Sequence, residues 1–297
     1  MPDFTSRISR LARGLLVLPL AALAACSMAD FAYDLVPRIA VRYVDDYLQL
    51  SNRQEARALE MFRERHALHA RDELPRYHDF LLQTRRALQD GLTRADVDAI
   101  FDGVQALVEL GVRRTIPAAA KILAGLENAQ LDALEEKLHD SAAEYREELD
   151  DDHKGRRLGE TLEDIEEWIG PVTDAQREML TRELRAMQET GPLWLRWRIQ
   201  KNEELIALLR SSPSPEAIET FLAGYWLRQE GLPPELVAGR DANRARYRDM
   251  IVALDASLSG EQRAHAMERL AEYQEMIVGM MPDEVRAAAV TKEGETE

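Results

Sequence analysis

The chain has a single cysteine, Cys26, in 297 residues, and that scarcity excludes an internal disulfide. Lysine is nearly as rare: Lys121, Lys137, Lys154, Lys201 and Lys292 stand among 38 basic residues, a bias read as codon composition. Positive charge is outnumbered, with 54 acidic residues and a formal net charge of −16. That balance argues against nucleic acid as a partner, because such binding is driven by phosphate neutralisation and counterion release. Long apolar runs are missing too. The strongest, Leu15 to Leu23 broken by Pro19, is too short to span a bilayer core of ~30 Å as a helix. Beyond residue 26 no segment alternates as a strand would. There is no Gly-x-Ser-x-Gly elbow and no glycine loop for phosphate, so the sequence offers no catalytic residue, and neither a cofactor nor an enzyme is expected.

What is present at the N-terminus is an address. Arg7, Arg10 and Arg13 precede the apolar run, the layout of a secretory signal. The run ends in Leu23-Ala24-Ala25-Cys26. Small residues let the chain enter a peptidase in extended form, and the next thiol accepts a diacylglyceryl group. The pattern resembles the bacterial lipobox. The resemblance implies that residues 1–25 are a cleaved signal peptide, that Cys26 is the lipidation site with a fatty acyl group such as palmitate on its new amino terminus, and that residues 26–40 are a tether. Several acyl chains matter, since one myristoyl chain binds with only ~10⁴ per molar and each further buried CH₂ adds ~0.8 kcal/mol. By analogy with lipoprotein sorting, Ser27 directs the protein to the outer membrane, facing the periplasm. Cleavage removes three Arg and one Asp, leaving 35 basic and 53 acidic residues, a net charge of −18. A body so acidic is expected to avoid anionic lipid.

The remainder reads as all-α, with about ten helices. Val97, Ile100, Phe101, Val104, Leu107 and Val108 form one apolar stripe at helical spacing, and Leu131, Leu134, Leu138, Ala142, Tyr145 and Leu149 form another. Glycine and proline punctuate the segments at Pro75, Gly91, Pro117, Gly170-Pro171, Gly191-Pro192, Pro213 to Pro215 and Pro233-Pro234. The stretch 283–297 is expected to be a disordered tail.

One signature recurs. Leu50-Ser51-Asn52-Arg53-Gln54, Val172-Thr173-Asp174-Ala175-Gln176 and Leu258-Ser259-Gly260-Glu261-Gln262 each place a hydroxyl three residues before a glutamine. This is a capping box, in which the hydroxyl and the glutamine side chain each satisfy the other's backbone amide. Leu126-Glu127-Asn128-Ala129-Gln130 and Leu92-Thr93-Arg94-Ala95-Asp96 are degenerate copies. Their spacing suggests a duplication, since Gln54 to Asp96 matches Gln176 to Ala217. The lead-ins Val44-Asp45-Asp46-Tyr47-Leu48 and Ile165-Glu166-Glu167-Trp168-Ile169 match too. We expect tandem helical halves, 41–155 and 156–282, packed as two subdomains, as one bundle or as a short solenoid-like body.

The lipobox Cys, Val44-Asp45-Asp46-Tyr47-Leu48 with the first box, Glu73-Leu74-Pro75-Arg76-Tyr77 and Glu144-Tyr145-Arg146-Glu147-Glu148 together resemble a proteobacterial lipoprotein family titled domain of unknown function 6279. The likeness runs over nearly the whole mature chain and implies a lipid-anchored helical envelope protein. Locally, the boxes resemble the Leu-Thr-x-x-Gln motif of the Spy/CpxP periplasmic chaperones and stress proteins.

Three clusters have possible chemistry. His66 and His69, with Asp72 and Glu73 behind them, share a helix face and could reach one metal ion, and Glu136-x-x-His139 is a lone di-iron-like pair. Ordinary surface or interface histidines are the plainer reading, so no metal ligand is assigned. The acidic run Glu147 to Asp152 lacks the alternating ligands of a calcium loop and reads as a solvated helix end. Trp194 and Trp197 share a face, which favours core packing over a ligand stack. The expected function is therefore a membrane-anchored, non-enzymatic scaffold for an envelope protein partner. A Spy-like holdase is the alternative, and a helical metal-binding protein the third reading.

Overall fold

The structure, a computed structural model, describes residues 32–150 and 153–294. Among these residues there are twelve α-helices and no strand. They are α1 (Val36–Leu48), α2 (Asn52–Asp72), α3 (Leu74–Asp90), α4 (Arg94–Leu123), α5 (Asn128–Asp150), α6 (His153–Ile169), α7 (Asp174–Arg185), α8 (Gly191–Arg210), α9 (Pro215–Leu222), α10 (Pro234–Ala256), α11 (Gly260–Gly279) and α12 (Asp283–Gly294). The signal, Cys26, the end of the acidic run and residues 295–297 lie outside the described residues.

Local chemistry sets the boundaries. Pro75 sits in the first turn of α3, where its missing N–H is harmless, so α2 and α3 meet sharply at Glu73. Between α9 and α10 the chain passes through a π-turn, Ala223–Leu227, then through Gln229 and Gly231 at positive φ before Pro233-Pro234. The corresponding part of the first stretch, α4, runs unbroken for 30 residues.

Two sets of contacts repeat. α1 packs on α2 and α5, and α6 packs on α7 and α11. The third helices then cross over. α3 has its most extensive packing with α11, and α8 has its own with α5. Accordingly Leu205, Ile206 and Leu209 of α8 join a core built with Val41, Ala58, Leu131 and Leu134. Leu88 of α3 joins Leu162, Leu180, Leu254 and Leu270. The result is one interlocked helical bundle.

One expectation needs correction. Residues 283–294, expected as a disordered tail, form α12. Its Ala289 is buried, Val285 packs against the cluster that Ala289 forms with Ala70, Leu74 and Met281, and Arg286 donates to the carbonyls of Val278, Gly279 and Met281. They lie at and just past the C-terminus of α11, where helical carbonyls run out of intrahelical partners. Along the first apolar stripe, which does lie on one helix, Val97 is sealed, whereas Val104 and Val108 remain exposed. On α4 it is Gly103 that meets α3, and a Cβ there would lie 2.7 Å from the Phe80 ring.

Candidate functional site

The boxes do not stand alone. Gln54 Nε2 donates to Gln130 Oε1, and Gln130 Nε2 donates back to Gln54 Oε1, each at 3.0 Å. Gln176 and Gln262 make the same reciprocal pair, also at 3.0 Å. Each glutamine uses its oxygen for its own helix start. Ser51, Glu127, Thr173 and Ser259 donate their backbone N–H to Gln54, Gln130, Gln176 and Gln262 at 2.9–3.0 Å. Each sends an amide N–H across to the other chain segment: to the Gly125, Gln49, Ser257 and Pro171 carbonyls. Two helix starts distant in sequence are thereby clasped. The Thr173 and Ser259 hydroxyls also accept from the Gln176 and Gln262 amides, at 3.2 and 3.1 Å.

The surroundings repeat as well. Asp45 accepts from the Leu50 amide at 2.7 Å, and Glu166 from that of Val172 at 3.3 Å. Asp46 pairs with Lys137 at 2.9 Å, and Glu167 with Arg269 at 2.9 Å. Lys137 lies over the Tyr47 ring, and Arg269 over Tyr273, which stacks on Trp168. These partnerships occupy both the oxygen and the amide N–H of each box glutamine with bonds inside the bundle.

The second polar concentration lies at the α2–α3 junction. The Tyr33 hydroxyl meets His69 Nδ1 at 2.7 Å, and its ring packs on His66 with centroids 4.1 Å apart. Burial pushes the Tyr33 hydroxyl well above its usual value and holds both histidines below theirs, so they are neutral at pH 7. Behind them Glu73 is fully buried, bonded to Arg65 and Arg114 at 2.8 and 3.0 Å. Burial alone would raise its carboxyl, but those two guanidinium groups outweigh it and hold it below the ordinary range. His69 thus spends Nδ1 on a tyrosine and Glu73 spends its charge on two arginines. Among the described residues no three His, Cys, Asp or Glu are placed to hold a metal ion.

The remaining candidates fall on surface and core. Glu136 and His139 are exposed on α5. Trp197 is buried, its ring N–H donating to the Glu230 carbonyl at 3.2 Å, and Trp194 packs with Tyr145, Leu149 and Leu195.

A model of a family of unknown function, DUF6279, matches residues 46–233. The chain belongs to that family. The DUF6279 match takes in Gln54, Gln130 and Gln176 but stops short of Gln262, so it ends inside the second clasp. No curated protein and no solved structure matches the chain.

Sequence reading missed the pairing of boxes. Gln130 had been ranked a degenerate copy because Glu127 replaces the hydroxyl, although its glutamine does the clasping. The signal available was the glutamine itself, kept at the third helical position in all four. The Glu73–Arg65–Arg114 cluster had no sequence signal, because Arg114 arrives from another helix.

Proposed function

We propose that this DUF6279 member is a lipid-anchored bacterial envelope lipoprotein that holds another protein on its helical surface. The observation that carries the reading is the lone Cys26 placed directly behind Leu23-Ala24-Ala25, after a basic flank and a short apolar run. The outer membrane, facing the periplasm, is the location that Ser27 favours. The surface offered to a partner is the middle of α4, where Val104 and Val108 keep 47% and 37% exposure. Exposed apolar side chains grouped on one rigid face are what a protein interface uses as its core. The box glutamines are spent on internal bonds, which weakens the case for a shared chaperone surface.

Mild cross-linking in intact envelopes should capture one partner in fixed stoichiometry, and Val104→Glu with Val108→Glu should abolish that capture without lowering the melting temperature. Suppression of aggregation for several unrelated denatured clients, with no fixed partner, would favour a holdase instead. Intact mass of the extracted protein tests the anchor: a mature chain starting at Cys26 without acyl mass would remove it, and Cys26→Ser should block acylation.

A further inference from the structure

Helix α1 has more apolar surface than the fold uses. At about 100° per residue, Val36, Ile39, Tyr43 and Tyr47 fall on one arc, and Pro37, Val41, Val44 and Leu48 on the next. α2 and α5 pack on the second arc, where Pro37, Val41 and Leu48 are buried. The first arc stays open over Val36, Ile39 and Tyr43, which keep 44%, 56% and 58% exposure, while Tyr47 at its end packs on the core. Its rim is basic. Arg38 and Arg42 are exposed on the same helix, and Lys137 lies 5.8 Å from the Tyr47 ring, neutralising Asp46. At the start of the helix Arg38 and Arg63 line a shallow cleft with Asp34 and His66. A net basic flank along one side of an open apolar arc is a local exception on a chain of net charge −16.

We infer that this face of α1 lies in the headgroup layer of the bilayer that anchors the chain, with Val36, Ile39 and Tyr43 at the acyl boundary and Arg38 and Arg42 reaching lipid phosphates. An amphipathic helix with such flanks is suited to an interfacial position. The inference rests on the lipoprotein reading of Cys26. About ten residues separate Cys26 from Val36, at most ~36 Å of extended chain, so the anchor keeps this arc within reach of the membrane. α1 then orients the body on the bilayer, where acyl chains alone would leave it free to tumble.

The test uses the acylated full-length chain, in which Cys26 is already a thioether. Ile39→Cys supplies one thiol for a nitrobenzoxadiazole label, and Gln105→Cys on α4 supplies the control. Each is placed on vesicles of phosphatidylethanolamine and phosphatidylglycerol, with and without brominated acyl chains. The label at 39 should shift to the blue and lose most of its intensity with brominated lipid, while the label at 105 does neither. Arg38→Glu with Arg42→Glu should reduce that quenching although the protein still floats with the vesicles. Floating, acylated protein whose label at 39 is unquenched overturns the inference alone. A blue shift without quenching puts protein, not lipid, against α1 and overturns it as well. Protein without acyl mass overturns the lipoprotein reading and the inference together.

Discussion

The two glutamine clasps make the same bonds in different surroundings. Gln176 and Gln262 retain 3% and 7% exposure, whereas Gln54 and Gln130 are half-buried and several of their bonds lie at the surface. A hydrogen bond facing water is replaced by water when it is lost, whereas a buried group stays unpaired. The same pattern of residues therefore specifies geometry at one end of the bundle and both geometry and stability at the other. The contrast extends to the crossed helices. At the start of α3, the α2–α3 junction holds Glu73 between Arg65 of α2 and Arg114 of α4, beside the histidines. Where α8 meets α5, Trp194 and Leu195 pack on Tyr145 and Leu149.

The largest effect should come from separating what the crossed helices join. Residues 41–155 made alone lack Leu205, Ile206 and Leu209 from their core, and residues 156–282 made alone lack Leu88. Each buried leucine or isoleucine contributes roughly 1.5–3 kcal/mol, against a total stability of ~5–15 kcal/mol for a whole domain. Neither fragment should show near-ultraviolet circular dichroism or a cooperative melt, while the two co-expressed should form a one-to-one complex that does. Cooperative unfolding of either fragment by itself would break the comparison at its base.

Next comes Glu73→Gln. It leaves Arg65 and Arg114 facing a neutral amide in a buried junction, and breaking one partner of a buried pair costs about 3 kcal/mol or more. Denaturant titration should show a lower midpoint with unchanged slope. Trp194→Phe at the other junction keeps an aromatic ring in the packing and should cost less. Equal losses would mean that the charge at the first junction adds nothing to its packing.

How much of this was legible beforehand follows from the range of each interaction. Helical period, the caps at Ser51, Thr173 and Ser259, and the repeat of Asp46-Tyr47 as Glu167-Trp168 are local patterns and could be read from the chain. The crossing of α3 and α8 could not, because Leu88 and Leu209 look like any other core leucine until their neighbours are known. α12 was hidden by the polar composition of its end; its helix rests on Ala289, Val285 and Arg286 meeting partners from α3 and α11. At the candidate sites, the tryptophans of α8 were read as core from their shared face, whereas the clasps needed tertiary structure.

Smaller still are the clasps themselves, compared directly. Gln176→Ala leaves the buried Gln262 amide without its partner and removes the part-buried bonds to Thr173 and Ser257, so it should cost about 2 kcal/mol. Gln54→Ala exposes the equivalent groups to water and should cost ~1 kcal/mol or less. In each clasp the double mutant should cost less than the sum of its singles, because both residues serve one set of bonds. Additive losses would show that the reciprocal amide pair contributes nothing beyond two separate caps.

The smallest effect, and the most local, is that of pH. Burial holds His66 and His69 below the ordinary histidine value in the folded protein. Above pH ~6.5 both folded and unfolded chains have them neutral, so no stability is at stake there. Below it the unfolded chain takes up protons that the folded junction resists, and stability falls as the pH is lowered. A protonated His69 has a hydrogen on Nδ1, so the Tyr33 hydroxyl at 2.7 Å could then only accept from it. Glu73 stays charged over this interval, because its arginines hold it below the usual carboxylate range. Amide exchange measured at pH 7 and pH 5.5, corrected for intrinsic rates, should therefore show lost protection at the end of α2 and the start of α3. The start of α8, which has no histidine, should keep its protection. His69→Gln, which cannot be protonated, should flatten the pH response at α2. If acid loosened both junctions equally, the histidines would not be its cause, and the difference between the two ends would be one of packing alone.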